Sequence, residues 1–227
     1  MNYHNITYPD MNNGEGLRVV LWLSGCSHKC KGCQNPQTWD ANSGIPFDES
    51  AKEELFRELD KDYISGLTLT GGDPLFEKNL DGVLDLVTEV NKRYNTAQNI
   101  ARNQDKNHNI LNENANKIRL SSPQKSIWLY TGYRVKEIYK DHFGEKHFIL
   151  SPSAVENWIK QPEYKTTIEN GRDRKRSNII KQCNILVDDQ YVESQRDITI
   201  PWVGSSNQRV ISVKESLQKG EIVLWQT

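Results

Sequence analysis

Three cysteines fall within eight residues, Cys26, Cys30 and Cys33, directly after the apolar run Leu17–Leu23 (LRVVLWL). A disulfide among them leaves one thiol over and closes only a very short loop, which removes little unfolded-state entropy. The first residues, Met1-Asn2-Tyr3-His4-Asn5, have neither the basic nor the apolar region of an export signal. In a reducing cytosol, metal ligation is the better reading of such a cluster. Cys183 stands apart, in Gln182-Cys183-Asn184-Ile185-Leu186-Val187, and reads as a small buried residue leading into a strand. Three thiolates from one tight loop can hold three corners of a cubane iron–sulfur cluster. Full protein ligation of a cluster, or of structural zinc, needs a fourth ligand. His28 lies between two of the cysteines, where chelating the same metal is awkward, and reads as a solvated loop residue. Three ligands without an obvious fourth point to an iron left open for substrate, which marks catalysis. A zinc-binding or electron-transfer protein is the rival.

Around this loop, strands and helices alternate. Leu17–Leu23 looks like a strand buried on both faces. Asp48–Leu59 reads as a helix, with Ser50 and Glu53 at capping-box spacing and Leu55, Phe56 and Leu59 on one face. Ile64–Thr70 is a second strand. Leu80, Val83, Leu84, Val87 and Val90 recur at helical spacing. Ile127–Tyr130 is a third strand, followed by a short helix around Arg134–His142, and Ile185–Val187 is a fourth. The alternation predicts an α/β chain, a parallel sheet or partial (β/α) barrel with helices outside. Two polar stretches interrupt it. Residues 95–125 hold eight asparagines with no clean period, and residues 144–181 hold a weak helical signal, then Arg172-Asp173-Arg174-Lys175-Arg176. Both read as insertions in a single domain spanning 1–227. The basic run could meet a phosphate or an acidic partner, and more ordinarily is a solvated loop.

The motif Ser24-Gly25-Cys26-Ser27-His28-Lys29-Cys30-Lys31-Gly32-Cys33 carries C-x3-C-x2-C spacing after an apolar strand, and so resembles the radical S-adenosylmethionine superfamily. That superfamily often has an aromatic residue before the third cysteine. Here the place is Gly32, and with Gln34-Asn35, Trp39 and Asn42-Ser43-Gly44 the loop is similar to the activating enzymes of anaerobic ribonucleoside-triphosphate reductase. Thr70-Gly71-Gly72-Asp73-Pro74-Leu75, alone an ordinary turn, resembles the family's motif at the end of the next strand. Asn13–Arg18, Trp128–Tyr133, Leu186–Tyr191 and Trp202–Val210 match the same subgroup in order. The family's Asp-Gly after the fourth strand is Asp188-Asp189 here.

The resemblance implies a partial barrel of the radical SAM type, a 4Fe-4S cluster on Cys26, Cys30 and Cys33, and S-adenosylmethionine as cosubstrate. It implies that Gly71, Gly72 and Asp73 position the methionine part, Asp73 receiving its ammonium. Backbone around Gly32, Cys33 and Gln34 would lie near the nucleoside, and Thr131 would face the same pocket. The chemistry implied is reductive cleavage of S-adenosylmethionine to a 5′-deoxyadenosyl radical, which takes hydrogen from a glycine of the large subunit of the reductase. A flavodoxin-like or other low-potential electron donor is the further partner. Activation of a different glycyl-radical enzyme, such as pyruvate formate-lyase, is the alternative within the class. Independently of family, the cysteine loop, the Gly-Gly-Asp turn, Thr131-Gly132 and Asp188 all follow predicted parallel strands, the ends where such folds bind ligands.

Composition narrows the partners. Twenty-nine Lys and Arg against thirty Asp and Glu give a formal charge of −1, so no global field draws the chain to nucleic acid or to an anionic membrane. The longest continuous apolar run, Val19–Leu23, is far short of the ~20 residues of a membrane helix. A cytoplasmic protein is expected.

Overall fold

A computed structural model describes residues 1–96, 124–140, 146–149 and 168–226. Nine strands and four helices are described: β1 (Asn2–Asp10), β2 (Arg18–Leu23), β3 (Ile45–Pro46), α1 (Glu49–Leu59), β4 (Gly66–Gly71), α2 (Leu80–Tyr94), β5 (Ser126–Tyr130), β6 (Glu137–Lys140), β7 (Lys146–Ile149), α3 (Ile168–Lys181), β8 (Ile185–Asp188), β9 (Arg209–Ser212) and α4 (Val213–Lys219). Seven strands make one sheet in the order β3-β1-β2-β4-β5-β8-β9, and β6 and β7 form a separate pair. The four strands read from the sequence are its centre, all parallel: Val19 faces Leu67, Leu67 faces Ile127, and Leu129 faces Leu186. Antiparallel β1 and β9 flank them.

The central strands are continuous apolar runs because both faces are covered. Val19, Leu21, Leu67, Leu69, Ile127 and Leu129 join the core formed with α1, α2 and α3, and all are fully buried. On the other face Trp128, Ile185 and Val187 meet Trp202 and Trp225 from the C-terminal segments. Loop residues preceding β2 fold back on this face, where the Asn13 carbonyl accepts from the Thr68 hydroxyl at 2.7 Å.

Several local expectations are corrected. Helix α1 is capped by Asp48, whose carboxylate accepts from the Ala51 amide, and not by Ser50. A carboxylate at the helix N-terminus meets both an unpaired amide and the positive end of the dipole. The helix expected around Arg134–His142 gives way, within the described residues 134–140, to β6, whose backbone pairs with β7 through Ile138 and Phe148; residues 141–142 lie outside the described residues. The basic run is a helix, α3, packed on α2 and β7. Three of the run's four cations make ion pairs: Arg172 with Glu77 at 2.8 Å, Lys175 with Asp81 at 2.5 Å, and Arg176 with Asp173 at 3.0 Å. Strand β1 lay outside the sequence reading because its burial alternates only weakly, with Tyr3 and Ile6 inward. Of the two expected insertions, residues 97–123, 144–145 and 150–167 lie outside the described residues.

Candidate metal centre at the strand ends

The four parallel strands end on one rim, and their exits touch. After β2 the chain enters the cysteine loop. After β4 the Gly72 amide donates to the Leu23 carbonyl at 2.7 Å, and the Asp73 amide to the Gly25 carbonyl at 2.8 Å. A Cβ on Gly72 would lie 2.6 Å from that same Gly25 oxygen, so the turn can lie against the cysteine loop only with glycine there. After β5 the Thr131 amide reaches the Val187 carbonyl at 2.9 Å.

The loop itself is tightly turned. Its base is fixed by backbone bonds from Gly25 to Thr38 (2.7 Å) and from Cys26 to Trp39 (3.0 Å). Lys29 and Gly32 both take positive φ, 47° and 75°. A Cβ on Gly32 would also stand 3.0 Å from the end of the Glu193 side chain, and its left-handed backbone itself favours glycine. Cys26, Cys30 and Cys33 are free thiols at intermediate exposure. Each sulfur is met by backbone N–H groups: Cys26 by His28 and Lys29, Cys30 by Tyr191, and Cys33 by Asn35 at 3.4 Å. Burial pushes the Cys26 thiol up to about 11, with the Asp73 carboxylate adding to it. Burial also raises Cys30. Amides aimed at sulfur stabilise thiolate, and such bonds are among the levers that tune a cluster.

This donor set fits a cubane cluster. Three free thiols on one loop are the donor type that an iron–sulfur cluster takes.

The acidic side of the rim is closely bonded within the fold. Asp73 is 1% exposed, and its carboxylate accepts from the Leu75 amide at 2.8 Å, the Gly132 amide at 3.0 Å and the Thr131 hydroxyl at 2.9 Å. His28 Nε2 lies 2.9 Å from Asp73 Oδ2, off the line of a good hydrogen bond. A carboxylate offers roughly four acceptor positions; three donors take theirs here, and His28 Nε2 approaches the carboxylate without a hydrogen bond. Thr131 is likewise occupied, since its hydroxyl also accepts from the Tyr133 amide at 3.2 Å. Gln34 is exposed on the loop.

His28 is the residue the sequence reading placed wrongly. Its side chain is only 10% exposed, packed edge-on to Tyr133 at 4.6 Å, with Gln190 Nε2 3.2 Å from Nδ1. A histidine between two ligating cysteines, on a loop otherwise made of small and cationic residues, was the available signal. The Gly204–Gln208 stretch also finds its use. Gln208 accepts from the Gly204 amide and donates to the Asp189 carbonyl, and Asn207 donates to the Gln190 carbonyl at 2.8 Å. These bonds hold Gln190 and Tyr191 against the cysteine loop. Where the family has glycine, Asp189 takes φ 84°, the same left-handed backbone in a residue that tolerates it.

A family model described as a 4Fe-4S single cluster domain matches residues 12–114 and 104–211. The chain is 31% identical over 219 residues to the anaerobic ribonucleoside-triphosphate reductase-activating protein of Enterobacteria phage T4, covering 96% of this chain and 99% of the relative. It is 29% identical over 212 residues to the protein of the same name from Escherichia coli strain K12, covering 92% and 97%. The Haemophilus influenzae protein of that name is 27% identical over 210 residues, covering 92% and 96%.

Proposed function

The chain belongs to the family of anaerobic ribonucleoside-triphosphate reductase-activating proteins, and on that premise we propose how its rim performs the activation. It is an enzyme that generates a glycyl radical on the reductase, with a 4Fe-4S cluster and S-adenosylmethionine. The cluster, when bound, supplies the electron that cleaves S-adenosylmethionine reductively.

Cys26, Cys30 and Cys33 hold the cluster, and the amides of His28, Lys29, Asn35 and Tyr191 stabilise their sulfurs. Gly71 and Gly72 bring bare backbone beside the cysteine loop, which suits the polar methionine end of the cosubstrate. Gly32, Cys33 and Gln34 lie on its nucleoside side. The ammonium is received at the Gly71–Asp73 turn, where the Asp73 carboxylate and Thr131 meet. The seven-stranded sheet is the open wall of a radical SAM (β/α) barrel, within one domain over 1–227. The missing wall is the large subunit of the reductase, whose glycine loop enters from the open side. The reaction runs in the cytoplasm, with a flavodoxin-like or other low-potential donor.

The observation that carries this reading is the trio of free, half-buried thiols, each met by an amide, at the carboxyl ends of parallel strands. Anaerobic reconstitution with iron and sulfide, then dithionite and S-adenosylmethionine, tests it. Expected are 5′-deoxyadenosine and, with the cognate reductase, an organic radical doublet that vanishes when the reductase glycine is replaced by alanine. Zinc without acid-labile sulfide, or cosubstrate turnover on a small molecule without reductase binding, overturns it.

A further inference from the structure

We propose that Asp73 and His28 are a positioning pair that fixes the cysteine loop on the strand rim; the proposal rests on the reading of that loop as the cluster ligand. One buried carboxylate gathers contacts from three strand exits: Leu75 after β4, Thr131 and Gly132 after β5, and His28 after β2. His28 carries the connection on to the fourth, through Gln190 after β8. No other side chain among the described residues links all four exits in this way.

The imidazole is held on every side. Gly132 forms its floor: a Cβ there would stand 2.4 Å from His28 Cδ2. Tyr133 packs edge-on against the ring, and Arg176 of α3 stacks over Tyr133 at 4.4 Å while donating to its hydroxyl at 3.0 Å. Arg176 also donates to the Leu75 carbonyl at 3.0 Å, returning to the Asp73 turn. Asp73 is anchored in turn, since Asn79 Nδ2 donates to both its carbonyl (3.0 Å) and that of Ser24 (2.8 Å). A residue two positions from each of two ligands and packed on four neighbours, Asp73, Gly132, Tyr133 and Gln190, fixes where both sulfurs stand. Loss of His28 therefore frees the loop between Cys26 and Cys30 without removing a ligand.

The consequences separate this role from receipt of the cosubstrate ammonium. An ammonium acceptor, once removed, lowers affinity for S-adenosylmethionine and leaves the cluster as it was. A positioning pair changes the cluster itself, before any cosubstrate is added.

The test compares reconstituted wild type with His28→Ala, Asp73→Asn, the double variant, His28→Gln and Gly132→Ala. Measured are iron and sulfide content, the rate of bleaching by an iron chelator, and the electron paramagnetic resonance spectrum of the dithionite-reduced cluster. His28→Ala and Asp73→Asn are each expected to bleach about tenfold faster, the factor that one contact to a charged group supports. The double variant should bleach no faster than the worse single variant, because each removes the same link. His28→Gln keeps an amide donor near Nε2 and should recover most of the lifetime. Gly132→Ala, which only crowds the ring, should reproduce His28→Ala, and all impaired variants should shift the reduced-cluster spectrum. Wild-type lifetime and spectrum in His28→Ala and Gly132→Ala overturn the proposal, as do losses that multiply in the double variant. A lost cosubstrate affinity in Asp73→Asn over an unchanged cluster also overturns it. Absence of a cluster from the wild type itself defeats the underlying reading instead. Should Asp73→Asn fail to fold, the His28 and Gly132 variants decide.

Discussion

The two ends of the parallel strands solve opposite problems. At the amino ends, carbonyls are left over, and buried cations take them. Arg18, fully buried, donates to the carbonyls of Leu67 (2.7 Å), Ser126 (2.9 Å) and Glu15 (3.1 Å), and to the Thr68 hydroxyl. Lys125, also fully buried, donates to those of Lys61 (2.9 Å) and Ile64 (2.5 Å). At the carboxyl ends, amides are left over, and buried carboxylates collect them: Asp73 as described, and Asp188 from the Val135 amide at 2.8 Å beside Arg209. Each end satisfies its backbone with the complementary charge. The cysteines divide the same way. Cys183, at the amino end of β8, is buried and its thiol donates to the Ile179 carbonyl, whereas the rim thiols stand half-exposed. The amino end is closed and carries stability, and the carboxyl end keeps groups in reserve for a ligand.

The largest effect should come from the thiols. Cys26→Ala, Cys30→Ala or Cys33→Ala should each abolish the brown chromophore, because two thiolates do not retain the cubane. Cys183→Ala should keep chromophore and cosubstrate cleavage, at a stability cost of ~1–2 kcal/mol from a small cavity. Visible absorbance and urea unfolding read both. Equal loss of chromophore on replacing Cys183 removes the distinction between the ends and the open-iron reading with it.

Arg18 probes the closed end. Burial lowers its pKa to about 9, so it is still a cation at neutral pH, with no carboxylate among its hydrogen-bond partners. Arg18→Leu leaves several buried carbonyls unsatisfied at ~1–3 kcal/mol each, offset in part by removal of a desolvated charge. A net loss of about 3 kcal/mol is expected in urea unfolding, with unchanged iron per folded molecule. A drop in iron content among folded molecules shows that the two ends are coupled.

The closed end and the open end were unequally legible in the sequence. Leu17–Leu23, Ile64–Thr70, Ile127–Tyr130 and Ile185–Val187 announced the parallel centre because strands buried on both faces must be apolar throughout. Cys26, Cys30 and Cys33 announced the chemistry because three adjacent thiols have few other uses. The edge strands were hidden. Asn2–Asp10 is half polar, and Glu137–Lys140 spans only four residues, paired with the equally short Lys146–Ile149. His28 was read locally, as solvated, and its burial depends on a contact with Asp73, 45 residues away in sequence, which composition and period do not encode. Arg18 gave no signal at all, since a cation opening an apolar strand ordinarily reaches solvent.

Gly72 tests how closely the rim is packed. Its missing side chain is what allows the Asp73 turn to lie on Gly25. Gly72→Ala should cost ~1–3 kcal/mol, the usual range for overpacking against backbone. It should also weaken cosubstrate binding relative to wild type in isothermal titration. Wild-type stability and affinity together show that the turn and the cysteine loop have room to separate.

The smallest effect is expected at Asp189, a non-glycine in left-handed backbone at the rim. Among the described residues, Gly25, Gly32 and Gly71 take positive φ there beside Lys29 and Asp189, whereas Gly14, Gly16 and Gly66 do so near the amino ends. Asp189→Gly relieves the left-handed backbone by ~1 kcal/mol, but it loosens the unfolded chain and removes an exposed pair with Arg134 worth ~0–1 kcal/mol. These nearly cancel, so unfolding free energy should move by no more than about 0.5 kcal/mol. Asp189→Ala loses the same pair and gains no conformational relief, and should cost about 1 kcal/mol or more. The difference between glycine and alanine, measured side by side, isolates the backbone from the charge. If alanine matches glycine, Asp189 is held by its salt bridge, and the strain attributed to the rim is carried by Lys29 and its neighbours alone.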